Sequence, residues 1–163
     1  MTILENIRHA LVAQGIEFRE LQHEPTLTSE DAARVRGEDL SNGGKALLIK
    51  VDQEFALFVL PADRRVDSKA IRKQLSAKKT RFASRDELSS LTESVNGTGL
   101  VPGSVPPFGT PILPFALYID DAIRQNQRIA FNAGSLTDSI IMSVDDYLRI
   151  AQPQNMFSFS QVQ

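Results

Sequence analysis

Three short segments combine residue types and spacings that could do chemistry. In Gly43-Gly44-Lys45 two glycines loosen the backbone just before a lysine, and the lysine opens the apolar run Ala46 to Ile49. A cation fixed at the mouth of a buried strand, beside flexible backbone, suits a phosphate or a carboxylate. A lysine that merely snorkels from a strand end has the same spacing. In Gly103-Ser104-Val105-Pro106-Pro107-Phe108-Gly109 the prolines fix the chain direction, while the glycines permit positive φ or close approach of a ligand. Such a loop can present backbone N–H and C=O groups at set positions, or it can be a plain connection. Asn132-Ala133-Gly134-Ser135 places small polar groups on a turn between two apolar strands, which also describes an ordinary hairpin turn. The chain has no Cys, and its two His are His9 and His23. Thiol chemistry and disulfides are therefore excluded, and a metal site would need mostly carboxylate ligands.

The elements that must position these segments can be read from capping residues and periodicity. Thr2 and Glu5 form a capping-box pattern ahead of Ile3, Leu4, Ile7 and Leu11, which predicts a helix over residues 3–14 ending at Gly15. His9 lies about 200° of helical rotation from Ile7, on the watery face. A short strand with Ile16 and Phe18 follows, then a loop over 23–28 and a helix over 29–36 stopped by Gly37. Ala46 to Ile49 and Glu54 to Leu60 read as a buried hairpin in the middle of a sheet. Asp67 and Ser68 cap a helix through Leu75, Thr80 to Ala83 is a short strand, and Ser84 with Glu87 caps a helix ending near Leu91. Gly97 to Pro111 is too rich in Gly and Pro for regular structure, and a loop of that length in a compact domain is usually functional or mobile. Ile112 to Ile119, Ile129 to Asn132 and Ser139 to Met142 are predicted strands, and Ser143 caps a last helix through Ala151. In the tail, Met156, Phe157 and Phe159 are expected to dock on the body. Strands interleave with helices without strict βαβ alternation or a dinucleotide glycine fingerprint, so the predicted fold is α/β (α+β) with a mixed central sheet and surrounding helices.

At 163 residues, with 42% apolar and 23% charged residues, the chain fits one globular domain over 1–163 rather than a disordered or fibrous segment. Its start, MTILENIRHA, carries an acid and lacks the basic leader and apolar stretch of a secretory signal. No apolar run approaches the ~20 residues of a bilayer span, so a cytoplasmic protein with no membrane contact is expected. The net charge of −2 exerts no global pull on nucleic acid. Positive charge is nevertheless concentrated locally: between Ser68 and Arg81 lie Lys69, Arg72, Lys73, Lys78, Lys79 and Arg81, with no acid among them. That stretch could follow a nucleic-acid backbone through its phosphates, or it could be a solvated helix face.

Taken together, Gly-Gly-Lys45-Ala-Leu-Leu-Ile, Phe82-Ala83-Ser84, the Gly103 to Gly109 loop and Asn132-Ala-Gly134-Ser, in that order, resemble the YbaK-like aminoacyl-tRNA deacylases. This family includes the editing domain inserted in bacterial prolyl-tRNA synthetase. The likeness also takes in His23-Glu24 and Thr28-Ser29-Glu30, and it ends only near the tail. It implies a free-standing trans-editing enzyme that hydrolyses the ester joining a wrong amino acid to a tRNA. Lys45 falls on the family's functional lysine, expected to hold a phosphate near the acceptor end. The loop carrying Gly103, Ser104, Pro106 and Phe108 falls on the segment that embraces the aminoacyl group through backbone contacts. The turn carrying Asn132, Gly134 and Ser135 falls where alanine-clearing relatives commonly have a histidine, and that histidine is absent here.

Without it the pocket is more polar, with Asn132, Ser135, Thr26 and Thr28 as candidate contacts, and relatives with Phe-Asn-Ala-Gly at this turn look like the subgroup acting on seryl- and threonyl-tRNA. A site that hydrogen-bonds a hydroxyl strongly favours it over an analogue lacking one. Alanyl- or 2-aminobutyryl-tRNA remain alternative substrates, and a non-catalytic module binding aminoacyl-tRNA or a small ligand is the alternative function. With no Cys and no histidine triad apparent, the expected mechanism uses an oriented water and oxyanion stabilisation rather than a covalent intermediate. By resemblance a ribose hydroxyl of the terminal adenosine assists the water. The implied partners are misacylated tRNA, held at its acceptor end and through Lys69, Lys73, Lys78 and Lys79, and a transiently associated aminoacyl-tRNA synthetase. No metal or cofactor is called for.

Overall fold

The computed structural model describes residues 1–163 save the side chain of Asn96. Its helices are α1 (Ile3–Ala13), α2 (Ser29–Arg36), α3 (Ser68–Leu75), α4 (Arg85–Asn96) and α5 (Val144–Ala151). Its strands are β1 (Phe18–Gln22), β2 (Gly44–Val51), β3 (Glu54–Pro61), β4 (Arg64–Val66), β5 (Thr80–Phe82), β6 (Ala116–Asp120), β7 (Arg128–Asn132), β8 (Asp138–Ser143), β9 (Asn155–Phe157) and β10 (Ser160–Val162). Each helix starts where a short polar side chain can accept from an orphan N–H of the first turn. Thr2, Thr28, Asp67, Ser84 and Ser143 all do so, and Ser84 with Glu87 completes a capping box.

The strands form a five-stranded mixed sheet in the order β5-β2-β3-β6-β9, a three-stranded sheet β1-β8-β7, and a two-stranded pair β10-β4. The β2–β3 hairpin is antiparallel, with Lys45 opposite Leu60, and β3 pairs parallel with β6. This is the α+β architecture with a mixed central sheet that the sequence predicts. The larger core lies between the two sheets, where Leu48, Leu57, Val59 and Ile119 meet Phe131, Ile140 and Met142 under α1, α4 and α5. A second core covers the opposite face of the five-stranded sheet, where Ile71 of α3 packs with Ile49, Phe58 and Leu60 and with Phe157 and Phe159 of the tail.

The two sheets join where β2 begins. Gly43 makes a parallel bridge to Ala130, and its carbonyl accepts from the Ala62 N–H at 2.8 Å. A Cβ on Gly43 would sit 2.8 Å from the Ala62 Cβ, and one on Gly44 would sit 2.5 Å from the Ile129 Cδ1. Close backbone approach, rather than an unusual φ, is what the Gly43-Gly44 pair supplies. It brings the start of β2, and therefore Lys45, against β7.

Several boundaries depart from the sequence reading. The strand expected from Ile112 starts only at Ala116, because Ile112 and Leu113 both donate to the Gly109 carbonyl in a turn and Pro114 has no N–H to give. Helix α4 continues past Leu91 to Asn96: Thr92 is fully buried, its hydroxyl bonding the Leu88 carbonyl and accepting from the Leu100 N–H. The tail docks as its aromatics require. Phe159 is fully buried, and the Asp120 carboxylate accepts from the Phe159 N–H at 2.8 Å and the Ser160 hydroxyl at 2.6 Å.

Candidate active site

Where β2, the start of α2, the loop after α4 and the end of β7 converge, they enclose a cavity of about 290 Å³. Thr26, Leu27, Thr28 and Ser29 line one side, Gly43 to Leu47 another, and Pro102, Gly103 and Val105 a third, with Arg36, Asn132 and Leu136 behind. Two cations and no acid are among these lining residues. The electrostatics therefore favour an anion or a developing negative charge.

Lys45 is half-buried, and its ammonium has no hydrogen bond or ion pair with the described residues. Desolvation lowers its pKa, and the fields of Asp63 and Glu30 act in the opposite direction. The amine keeps its donors free of protein partners among the described residues. Thr26 is only 4% exposed, and its backbone N–H bonds the Leu136 carbonyl. Its hydroxyl has no protein partner among the described residues, and it lines the cavity. Thr28 is committed differently: its hydroxyl caps α2 by accepting from the Asp31 N–H at 3.0 Å.

Asn132 belongs to a buried network. Its Oδ1 accepts from the Arg36 Nη2 at 3.0 Å and from the Ser139 hydroxyl at 3.1 Å, and its Nδ2 donates to the Gly103 carbonyl at 2.8 Å. The sequence offered Asn132 as a direct contact for an amino-acid hydroxyl, yet most of its amide is spent tying the glycine and proline loop to β7. The next carbonyl of that loop, on Ser104, accepts from the Gly134 N–H at 3.0 Å, so both peptide planes are fixed on the β7–β8 turn. The N–H groups of Gly103 and Val105 find no acceptor among the described residues, and both residues line the cavity.

Five of the ten residues predicted for catalysis and the aminoacyl pocket thus share the cavity: Thr26, Thr28, Lys45, Gly103 and Asn132. Ser104, Pro106, Phe108, Gly134 and Ser135 do not line it. The Ser104 hydroxyl closes its own turn with Val101, and Phe108 is a core ring with centroids 5.5 Å from both Phe131 and Tyr147. Pro106 is buried, and the Pro107 carbonyl beside it accepts from the Tyr147 hydroxyl at 2.6 Å. The Ser135 hydroxyl bonds the Asp138 carboxylate at 2.7 Å within the β7–β8 turn. These residues hold the loop and the turn that carry Gly103 and Asn132.

Arg36 is the lining residue that the sequence reading passed over. A basic residue in the last turn of a helix reads as a complement to the dipole. Its spacing of four from the buried Ala32 was the available signal that it faces inward. His23 is likewise more engaged than expected, since its Nε2 lies 2.7 Å from the Ser139 hydroxyl. This pair is no triad: Ser139 is fully buried away from the cavity, and the other ring nitrogen faces the Glu24 carbonyl rather than a carboxylate.

Lys69, Lys73, Lys78 and Lys79 are all exposed, and none makes an ion pair with the described residues. Within the same basic stretch Arg81 is paired with Glu87 at 2.7 Å and Arg72 donates to the Thr80 hydroxyl. Ile71 seats α3 on the face of the sheet carrying Ile49, which strand alternation shares with Leu47 and Lys45. Among the described residues no helix is long and apolar enough to cross a membrane.

A mixed-sheet fold around a cationic, acid-free cavity with free backbone donors defines a protein built to hold a polar, charge-developing group. Residues 23–150 match the family model described as the aminoacyl-tRNA editing domain, and the chain belongs to that family. It is 35% identical over 152 residues to the multifunctional Ser/Thr-tRNA deacylase ProXp-y of Escherichia coli (strain K12), covering 89% of this chain and 86% of that protein. A proline–tRNA ligase of Shouchella clausii is 34% identical over 106 residues, 65% of this chain but 17% of the ligase. A crystal structure described as a candidate trans-editing enzyme for prolyl tRNA synthetase superposes with a TM-score of 0.78 at 20% identity, covering 99% of this chain and 98% of that one.

Proposed function

We propose that this chain, acting in trans and as one domain, hydrolyses the ester of tRNA wrongly charged with serine or threonine. The observation that carries the choice of amino acid is Thr26, a nearly buried residue that lines the cavity and whose hydroxyl has no partner among the described residues. It supports recognition of a substrate hydroxyl, as does the likeness to the Ser/Thr-tRNA deacylase of E. coli. The Lys45 ammonium holds a phosphate near the acceptor end. The Gly103 and Val105 N–H groups take the ester carbonyl and then its oxyanion, each such donor contributing about 3 kcal/mol to the barrier reduction. An ester is activated enough for an oriented water to attack, with a ribose hydroxyl of the terminal adenosine assisting. Lys45 anchors the phosphate rather than abstracting a proton.

A deacylation panel of seryl-, threonyl-, alanyl- and 2-aminobutyryl-tRNA tests this reading. Seryl- or threonyl-tRNA is expected to be cleaved at least tenfold faster than alanyl-tRNA, by kcat/KM. Thr26→Val keeps the shape and removes the hydroxyl, so it should slow the hydroxylated substrate roughly tenfold, leave alanyl-tRNA unchanged and barely move Tm. Equal rates for seryl- and alanyl-tRNA would assign the site to a small side chain of any polarity. Absence of hydrolysis across the panel would leave a binding module.

The exposed lysines support a path for the tRNA body. Neutralising Lys73, Lys78 and Lys79 together is expected to weaken charged-tRNA binding and flatten its log–log salt slope by up to about 2 to 3 units. Hydrolysis of a short aminoacyl-nucleotide mimic should hardly change. An unchanged salt slope would make this stretch a solvated face.

A further inference from the structure

Among the described residues Arg36 is the only buried basic side chain, at 8% exposure, and no carboxylate lies within ion-pair distance of its guanidinium. The nearest acid in sequence, Glu38, is held by Arg128 at 3.0 Å. Burial pushes the Arg36 pKa down to about 10 against the opposing field of Glu38, which is not in contact with it, and this leaves it charged at neutral pH. A buried cation with no carboxylate in contact costs stability, and an apolar residue of similar size would commonly be neutral or better. Its retention calls for a function, and its neighbours supply one.

The guanidinium fork meets three neutral acceptors: Nε donates to the Ser139 hydroxyl at 2.9 Å, Nη1 to the Ala130 carbonyl at 3.4 Å and Nη2 to the Asn132 Oδ1 at 3.0 Å. Ser139 alone could not hold that amide. It has one proton, and two acceptors compete for it. The His23 Nδ1 faces the Glu24 carbonyl, and in the tautomer that places a proton there Nε2, 2.7 Å from the Ser139 oxygen, is an acceptor. Asn132 Oδ1 is the other acceptor, at 3.1 Å. Arg36 supplies Oδ1 with a donor whichever way the serine proton turns. With Oδ1 fixed, Nδ2 is aimed at the Gly103 carbonyl, 2.8 Å away.

We infer that Arg36 is the positioning residue of this site: through the Asn132 amide its fork holds the Gly103 carbonyl and so fixes the Gly103–Ser104 peptide, which lies between the free N–H donors of Gly103 and Val105 and sets their directions. The inference rests on the deacylase reading given above. It separates two roles that the sequence merges, since Asn132 and Arg36 act on the loop while Lys45 and Thr26 face the substrate.

The test uses Arg36→Met, which removes the fork and the buried charge, and Asn132→Asp, which keeps acceptors for Arg36 and Ser139 but sets a carboxylate oxygen against the Gly103 carbonyl. Both variants should retain the parent Tm or exceed it while kcat on the best substrate of the panel falls about a hundredfold and KM stays within threefold, since loss of alignment on the order of 1 Å costs that much. Arg36→Lys keeps the charge without the fork and should restore only part of the rate. A folded Arg36→Met or Asn132→Asp with the parent kcat would overturn the inference, as would losses of activity that simply follow losses of Tm. If the parent cleaves no ester in the panel, the substrate reading fails on its own. Amide hydrogen exchange at Ser104, whose N–H bonds the Val101 carbonyl at 3.0 Å in the peptide that Asn132 holds, then still decides the positioning role: it should accelerate about tenfold in Arg36→Met, and unchanged exchange would overturn it.

Discussion

Replacing Lys45 with Ala is expected to lower kcat/KM for the misacylated tRNA by roughly 10²- to 10³-fold with no loss of Tm, the size of effect seen when one preorganised donor is taken from an active site. The two halves of this expectation come from the same fact. The ammonium lies half-buried at the start of β2 with no acceptor among the described residues, so the fold does not depend on its head group. Its removal relieves a desolvation penalty and leaves no partner unsatisfied. Kinetics assign the role. A raised KM with kept kcat marks anchoring of a phosphate, whereas a fall in kcat at constant KM marks stabilisation of the transition state. Full activity in the variant would remove the centre of the proposed mechanism.

The pH dependence follows from the direction of the same shift. Burial lowers the Lys45 pKa, with Asp63 and Glu30 opposing, so the cation is lost at a lower pH than an ordinary lysine would lose it. The alkaline limb of the enzymatic rate, corrected for spontaneous hydrolysis, should therefore begin below the ordinary lysine range and be missing from Lys45→Ala. For stability the sign is opposite. The folded state releases its proton before the unfolded chain does, so the cost of the buried charge is relieved as pH rises through the folded pKa.

Much of the scaffold was legible because local chemistry set it. The caps at Thr2, Asp67, Ser84 and Ser143 are short polar side chains bonding N–H groups within three residues, and such contacts leave a signature in the chain. β4 was not legible: Arg64–Val66 is short and polar, and it is a strand only because Ser160–Val162 returns to pair with it. The site divides in the same way. Lys45 announces itself because Gly43 and Gly44 sit beside it and an apolar strand follows. Asn132 was visible as a polar residue at a turn, but its partners Arg36 and Gly103 are 96 and 29 residues away, so the inward commitment of its amide left no local trace. Phe108 and Ser104 were drawn toward the substrate by their place in a loop with a recognisable pattern. The fold uses one as core and the other to close a turn, and of this segment Pro102, Gly103 and Val105 are the residues that line the cavity.

That division makes Gly103 the position in the loop where a side chain should damage activity far more than folding. Its φ of +88° belongs to a region that L side chains rarely adopt, and a β-branched residue there costs roughly 1 to 2 kcal/mol. The space around it is nonetheless open, since an added Cβ would meet only the Leu136 Cδ2 at an ordinary 3.5 Å. Gly134 is the contrasting case: a Cβ there would lie 3.0 Å from the Ile3 Cβ, so a substitution would press on the core beneath α1. Gly103→Val is therefore expected to fold, with Tm lowered by several degrees, and to lose a hundredfold or more in kcat. The strained peptide would turn its N–H away from the ester carbonyl, and the isopropyl group would stand at the cavity wall. Single-turnover deacylation at saturating enzyme, set beside thermal unfolding of the same preparation, checks both halves. Turnover equal to the parent's would make the segment from Gly103 to Gly109 a connector and move the oxyanion donors elsewhere. A collapse of folding in step with activity would assign Gly103 to the scaffold, alongside Gly134.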